Sequence, residues 1–173
     1  MVDHPVLYIF SGLPGSGKTA LAKRLSAHVG ACYLRIDTIE QGLRDLCSCR
    51  VEGEGYRLAY RIAADNLTNG ISVVADSCNP IPLTRVEWNE IAYNAKAGRV
   101  NIEIRCSDTD EHRARIESRP SDIPGLKKPT WEDVCRREYV AWSQGEALRI
   151  DTAGQTEEDS FAELLAALGH AAR

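Results

Sequence analysis

Short apolar runs alternate along the chain with longer stretches in which apolar residues recur at the three- to four-residue spacing of a helix. Five runs have the length of strands, and we predict strands at 6–10, 31–36, 71–75, 100–106 and 147–150. Helical spacing predicts helices at 18–29, 38–46, 55–69, 83–97, 108–117, 131–144 and 157–168. This alternation is typical of a three-layer α/β fold, in which a five-stranded parallel sheet carries helices on both faces.

One segment breaks the pattern. Residues 119–129 hold three of the seven prolines and one glycine, which excludes a continuous helix or a central strand. Helical spacing resumes directly afterwards, and the remaining residues are too few to build a second domain. We therefore predict one domain over residues 1–173, with a lid at about 113–130.

The charge and composition limit the kinds of partner that the protein is expected to bind. The formal net charge of -4 gives no general attraction to nucleic acid, so any site for a polyanion must be local. The N-terminus has an acid and a proline before a short apolar run, which is typical of neither a signal peptide nor a membrane span. We expect a cytoplasmic protein with no membrane partner, and the sequence leaves its oligomeric state open.

The strongest motif is a phosphate-binding loop. Residues 12–19 read GLPGSGKT, a full match to G-x-x-x-x-G-K-[ST], between a predicted strand and a predicted helix. Glycines let the backbone wrap closely around phosphate, with successive N–H groups pointing at its oxygens. Lys18 is expected to reach the β- and γ-phosphates of ATP, and the hydroxyl of Thr19 to bind Mg²⁺. The predicted nucleotide-binding residues here are Gly12, Leu13, Pro14, Gly15, Ser16, Gly17, Lys18, Thr19 and Ala20.

Two carboxylates follow predicted strands. Asp37 follows the second strand and Asp76 the third, and ligands of open α/β folds bind at this carboxyl edge. Asp76 is the expected acid of the magnesium site. Asp37 is the expected general base that takes the proton of an incoming hydroxyl. The alternative for Asp37 is an N-cap of the helix that follows it, which predicts no loss of turnover.

Arginines gather next to the proline-rich segment. Arg113, Arg115 and Arg119 lie immediately before it, where a closing lid would bring them over the nucleotide and exclude water. Arg113 and Arg119 are the predicted catalytic arginines, and Arg115 a predicted nucleotide contact. The alternative is that these arginines form a solvated helix face.

These features together resemble the small P-loop kinases of the adenylate-kinase-like group, which include gluconate kinase, adenylylsulfate kinase, chloramphenicol phosphotransferase, zeta-toxin kinases and polynucleotide 5′-kinase domains. The resemblance rests on GLPGSGKT, Asp37, the DSCNP stretch from Asp76 to Pro80, and the lid. It implies a sheet order of 2-3-1-4-5, Asp37 as the base, and lid arginines that clamp phosphate. It also places the RIDTAG segment, with Thr152, beside the adenine.

The chain departs from two of these families. Polynucleotide kinases carry an arginine three residues after the base, where this chain has Glu40, and adenylylsulfate kinases follow the base closely with Asn and Arg. The acceptor is therefore expected to be a small hydroxyl compound or a nucleotide-like molecule. The predicted acceptor-binding residues are Asp37, Arg44, Arg57, Tyr60, Ser77, Asn79 and Arg85. Ser77 and Asn79 have an equally good alternative as caps of the next helix.

Three functions remain open. The first is an ATP-dependent kinase with Mg²⁺. The second is a nucleotide-dependent switch or ATPase, for which replacement of Asp37 leaves activity unchanged. The third is a polynucleotide 5′-hydroxyl kinase, which requires a positively charged groove leading to Asp37.

Overall fold

The protein was analysed as a computed structural model, which describes residues 4–171. The strands are β1 (Val6–Ser11), β2 (Cys32–Arg35), β3 (Val73–Asp76), β4 (Gly98–Arg105) and β5 (Leu148–Asp151). The helices are α1 (Lys18–Val29), α2 (Ile36–Cys47), α3 (Glu54–Thr68), α4 (Pro82–Asn94), α5 (Thr109–Ser118), α6 (Trp131–Arg136) and α7 (Glu157–Ala171). Within the described residues, none of these helices has both the length and the apolar character that a bilayer crossing requires.

The five strands form one parallel sheet in the order β2-β3-β1-β4-β5, so the predicted fold class and strand order are confirmed. The order reverses at β1, whose neighbours β3 and β4 lie on opposite sides of it. In open α/β sheets ligands bind at such a switch point, beyond the carboxyl ends of the strands. Both Ser11, the last residue of β1, and Asp76, the last residue of β3, lie at this edge.

Helices bury both faces of the sheet. On one face α3 and α4 pack on the strands, and Trp88 of α4 is completely buried there. On the other face α1 and α7 pack on Phe10 and Ile104, among other apolar side chains. Successive residues of β1 serve the two cores in turn, since Ile9 belongs to the first cluster and Phe10 to the second. The central strand is thereby held rigidly from both sides.

Most predicted bounds differ from the observed ones by a few residues, and two of the differences affect the site. The second strand ends at Arg35, and Ile36 already belongs to α2. The predicted helix over 131–144 ends at Arg136. Its start was predicted correctly, because Thr130 and Asp133 form a capping box. The chain beyond it is drawn to the sheet instead, where Trp142 is buried and its indole Nε1 donates to Oγ of Ser11 at 2.8 Å.

Candidate active site

The loop between β1 and α1 has the backbone of an anion cradle. Gly12, Gly15 and Gly17 adopt φ values of 141°, 82° and 92°, which side chains with a Cβ rarely tolerate. A Cβ at Gly12 would lie only 2.3 Å from the carbonyl oxygen of Ile104, so β4 leaves no room for one. The amide N–H of Gly12 donates to the carbonyl of Cys78 at 3.1 Å, which ties the loop to the chain after β3.

Lys18 is the first residue of α1 and is buried, with 6% of its surface exposed. It borders two cavities. One of about 290 Å³ is also lined by Thr19, Arg115 and Arg119. The other, of about 630 Å³, contains Asp37 in its wall. Lys18 is therefore accessible from both cavities.

Arg115 of α5 is hydrogen-bonded to Thr152, which in turn is hydrogen-bonded to the phosphate-binding loop. The guanidinium of Arg115 donates to the hydroxyl of Thr152 at 2.7 Å and to its carbonyl at 2.9 Å, and it pairs with Glu111. The same hydroxyl lies 2.9 Å from the carbonyl of Ser16, to which it donates. Arg115 and Thr152 also line a third cavity, of about 200 Å³, together with Gln155. The RIDTAG segment thus lies beside the phosphate-binding loop.

His112 holds the loop from α5, a contact that the sequence did not indicate. Its Nε2 lies 2.7 Å from the carbonyl oxygen of Pro14, and the side chain is buried. Because a carbonyl only accepts, Nε2 must carry the proton and donate. The ring also packs edge-on against Trp131, with ring centroids 5.3 Å apart.

Asp76 is a buried carboxylate with one oxygen free. Its Oδ2 accepts a hydrogen bond from the hydroxyl of Tyr33 at 2.7 Å, while Oδ1 has no hydrogen-bond partner among the described residues. The carboxylate is 2% exposed. Burial, and then the charge of Asp76, raises the pKa of the Tyr33 hydroxyl, which therefore stays protonated as a donor. A buried, unpartnered carboxylate oxygen at this edge is suited to an incoming donor or cation.

Arg35 connects this carboxylate to the lid. Its Nε lies 3.9 Å from Oδ2 of Asp76, and its two terminal nitrogens donate to both carboxylate oxygens of Asp122 at 2.8 and 2.9 Å. Lys23 of α1 binds the same Asp122 carboxylate at 2.8 Å. The bonds from Arg35, and then those from Lys23, lower the pKa of Asp122. We call these three residues, Lys23, Arg35 and Asp122, the lid clasp.

The lid is the loop from Arg119 to Thr130, which contains no helix or strand. It covers the 630 Å³ cavity and approaches α2 closely, since a Cβ at Gly125 would lie 3.0 Å from Nε2 of Gln41. The charged side chains lining the cavity are Lys18, Arg35, Asp37, Glu40, Arg44, Arg119, Asp122, Lys127, Lys128, Asp133 and Arg137. The cavity is thus strongly polar, enclosed between the phosphate-binding loop, α2 and the lid.

Asp37 lies in the first turn of α2 and is partly exposed to this cavity. The N-cap position belongs to Arg35, and no side chain caps the helix by a hydrogen bond. Capping therefore does not account for Asp37. One turn further on, Glu40 pairs with Arg44 at 3.1 Å. Burial raises the pKa of Glu40. The negative charge of Asp37 raises it as well, whereas the positive charges of Arg44 and Arg137 lower it.

Six of the predicted catalytic and acceptor-binding residues do not line these three cavities, and the predicted magnesium ligand Asp76 does not line them either. Arg113 is exposed and pairs with Glu117 at 2.8 Å, while Arg57 is exposed on α3. The other four are buried away from the lining: Tyr60, Ser77, Asn79 and Arg85. Their surroundings explain this placement, which corrects the sequence-based expectation.

The four buried residues are held by contacts within the fold. Tyr60 packs edge-on against Trp88 and donates to Glu87 at 2.9 Å. Arg85 stacks on Trp142 and donates to the carbonyl of Val140. Ser77 donates to the carbonyl of Phe10 at 3.4 Å. Asn79 accepts from the hydroxyl of Thr84 at 2.7 Å but does not cap α4, whose N-cap is Ile81 with no side-chain bond.

Several lining residues were not predicted. Arg35 is one of them. Its position beside Asp76 could have been predicted from the register of β2 and β3, in which the two residues are paired. Lys127, Lys128 and Arg137 reach the cavity only through the path of the lid and of the chain after α6, which no local pattern specifies.

Comparison with known proteins places the chain in a family. The model of the AAA domain family AAA_33 matches residues 7–130, well over half of the chain. The matched part runs from β1 through the phosphate-binding loop to the end of the lid. A search of curated proteins found no match.

Solved structures share the fold over nearly the whole chain. A gluconokinase from Sinorhizobium meliloti 1021 is 15% identical with a TM-score of 0.68, covering 97% of this chain and 94% of its own. The Mycobacterium tuberculosis APS kinase CysC, solved in complex with AMPPNP and APS, is 18% identical with a TM-score of 0.65, covering 96% and 99%. Chaetomium thermophilum Kti12 in complex with ADP-AlF3 is 20% identical with a TM-score of 0.68, covering 93% and 98%. At these identities the likeness is one of fold.

Proposed function

Since the chain belongs to the AAA_33 family of AAA domains, we propose that it is an ATP-dependent kinase that transfers the γ-phosphate to a hydroxyl group of a small molecule. The observation that carries this proposal is the 630 Å³ cavity, because Lys18, Asp37 and the lid residue Arg119 all line it. A phosphate-binding lysine and a carboxylate that line the same cavity are parts that phosphoryl transfer to an alcohol requires.

ATP would bind with its phosphates in the cradle of residues 12–19. The backbone amides of the cradle and Lys18 would hold the β- and γ-phosphates. Arg115, Thr152 and Gln155 border the 200 Å³ cavity, where the base and ribose would lie. His112 would keep the cradle in shape through its bond to Pro14, so that the amides are aimed before ATP arrives.

In the transfer step Asp37 would orient the acceptor and take its proton. The acceptor oxygen attacks the γ-phosphorus, its O–H proton passes to the Asp37 carboxylate, and the bond from the γ-phosphorus to the bridging β-γ oxygen breaks. ADP then leaves with the bonding electron pair. Arg119 lines both the 290 and the 630 Å³ cavities and would stabilise charge on the transferring group. The lid covers the cavity and would exclude water, the competing acceptor.

The residues present fit a magnesium ion. Oδ1 of Asp76 is buried without a partner among the described residues, and Thr19 follows Lys18 at the start of α1. Carboxylate and hydroxyl oxygens are the ligands that Mg²⁺ prefers. We propose that Thr19 and Asp76 hold the ion, Asp76 directly or through a water. When bound, the ion would neutralise negative charge on the β- and γ-phosphates.

The test separates binding from transfer. Asp37→Asn should lower kcat by about 10²- to 10⁴-fold while leaving ATP affinity within a few-fold, because the amide keeps the shape and loses the base. Lys18→Ala should abolish ATP-dependent turnover. Asp65→Asn, at an exposed position on α3 and outside the cavity lining, is the matched control.

The assay measures ADP release above background hydrolysis across hydroxylated metabolites, nucleosides and oligonucleotide 5′ ends. An Asp37→Asn protein that transfers phosphate as fast as the wild type would refute the base. If the wild type binds ATP and no compound accepts phosphate from it, a nucleotide-dependent switch replaces the kinase.

A further inference from the structure

The 630 Å³ cavity is basic although the protein is acidic. Seven of its lining side chains are lysine or arginine and four are aspartate or glutamate, a balance of +3. The whole chain has a net charge of -4. Positive charge has therefore been concentrated at this cavity, and field lines are focused where low-dielectric walls surround such a cleft.

Part of this charge is already used. Arg35 is bound to Asp122, and Arg44 is paired with Glu40. Lys18 and Arg119 also line the 290 Å³ cavity, so both are available to the phosphates of ATP. These four residues therefore serve the lid clasp, the ion pair on α2 and the proposed nucleotide site.

Three cations remain: Lys127, Lys128 and Arg137. Within residues 4–171 none of them forms an ion pair with a carboxylate, although Lys128 donates to the carbonyl of Arg119. None lines the 290 or the 200 Å³ cavity on the nucleotide side. They line the same cavity as Asp37, and the remaining lining carboxylate, Asp133, is bound to Thr130 in the capping box.

Arg137 is the best placed of the three. Its Nη1 lies 3.5 Å from Sγ of Cys78, just after β3, and its charge acts on Glu40 of α2. Its guanidinium thus lies between the β3 edge and the helix that carries Asp37. A guanidinium recognises carboxylate and phosphate through two parallel hydrogen bonds.

Building on the proposed function, we propose that the acceptor is a small hydroxyl compound that carries its own carboxylate or phosphate group, bound by Arg137 with Lys127 and Lys128 while its hydroxyl faces Asp37. A cavity of this volume accommodates a small metabolite beside a γ-phosphate. The Asp37 carboxylate repels the anionic group of the acceptor. The acceptor would therefore bind with its hydroxyl group, and not its anionic group, toward Asp37.

The first experiment measures anion binding without turnover. The protein is saturated with AMPPNP and Mg²⁺, which fills the phosphate cradle, and is then titrated with inorganic phosphate and separately with malate by calorimetry or NMR. At least one anion should bind the wild type. Arg137→Gln should weaken that binding about tenfold or more, as expected for loss of a charged hydrogen-bonding partner, and added salt should weaken it further.

The matched control is Arg136→Gln, since Arg136 is the sequence neighbour, pairs with Glu132 and lies outside the cavity lining. It should bind the anion as the wild type does. Lys127→Gln, at an exposed lid position, is a second variant in case Arg137→Gln fails to fold. Failure of the wild type to bind either anion, or equal binding by Arg137→Gln and Arg136→Gln, overturns the inference.

The second experiment compares acceptors that differ in charge: glycerate against glycerol, and glucose 6-phosphate against glucose. Turnover of a charged member, with a KM for that acceptor raised about tenfold by Arg137→Gln and an unchanged KM for ATP, supports the inference. Turnover of the uncharged members with equal kcat/KM overturns it and leaves the kinase intact. Anion binding that depends on Arg137 without turnover of any compound supports the anion site and counts against the transfer reaction.

Discussion

Replacing Asp122 with asparagine should release the lid. The substitution removes the charge that Arg35 and Lys23 share but keeps the shape of the side chain. Arg35 is the stronger partner, because its side chain is only 12% exposed and donates two short hydrogen bonds. Lys23 is 48% exposed, and Asp122 itself 51%, so that pair is screened by water.

The magnitude follows from these environments. Hydrogen bonds to a charged partner contribute about 1.5–3 kcal/mol when sheltered, and exposed ion pairs about 0.2–1 kcal/mol. With half of the clasp exposed, we expect a loss of about 2 kcal/mol, which shifts the equilibrium from closed to open lid by roughly 30-fold. Lys23→Gln should cost less than about 1 kcal/mol by the same reasoning.

Limited proteolysis measures this equilibrium. Within the lid, trypsin can cut after Lys127, because the bonds after Arg119 and Lys128 precede prolines. A protease needs an extended segment of backbone, so cleavage there reports the open population when opening is fast. The rate, followed by mass spectrometry, should rise up to about 30-fold in Asp122→Asn and about fivefold or less in Lys23→Gln. Asp65→Asn, at an exposed position on α3, is the control. Equal cleavage of Asp122→Asn and Asp65→Asn would refute the clasp.

Three further results are expected. Gly12→Ala should lower the free energy of unfolding by at least about 2 kcal/mol in denaturant titrations, because its Cβ meets the carbonyl of Ile104 at a strained φ; a change below about 0.5 kcal/mol would contradict this. His112→Phe should weaken ATP binding about tenfold by calorimetry through loss of the bond to Pro14, whereas His112→Gln, which retains a donor, should weaken it less; equal affinities would argue against this role. Because the folded protein lowers the pKa of Asp122, the clasp is fully present above the ordinary aspartate pKa of about 4 and is lost as pH falls further; lid cleavage by an acid-stable protease should then rise with falling pH in the wild type and not in Asp122→Asn.

The fold could be predicted because its signals are local. Each strand is a short apolar run, and the sheet order followed from the resemblance that GLPGSGKT anchors. The prediction of a helix over 131–144 was wrong because tertiary packing overrides the local pattern. Its sequence has helical spacing, but Trp142 gains more by inserting beside Ser11 of β1 than a solvated helix offers it. Propensity is a weak prior against such burial.

The candidate site was predictable only in part. The cradle and the two acids after β2 and β3 are marked by motif and by position at the sheet edge. The partners of those acids depend on register and on loop paths. Tyr33 reaches Asp76 because β2 and β3 pair in parallel, and Arg35 meets Asp122 across 87 residues of sequence. Arg57 and Tyr60 illustrate the converse error, since a helix near the site turns most of its residues elsewhere.

The burial of Trp142 bears on how the lid can move. The chain that leaves α6 is fixed to β1 by this indole and to the stretch after β3 by the bond from Val140 N–H to the carbonyl of Pro80 at 2.8 Å. The chain that enters the lid is fixed as well, since α5 is joined to the cradle by His112 and to the end of β5 by Arg115. Both ends of the loop are therefore anchored in the rigid sheet layer. We therefore expect substrate to be admitted by backbone rotations between these anchors, and not by the swing of a whole helical arm about a single pivot.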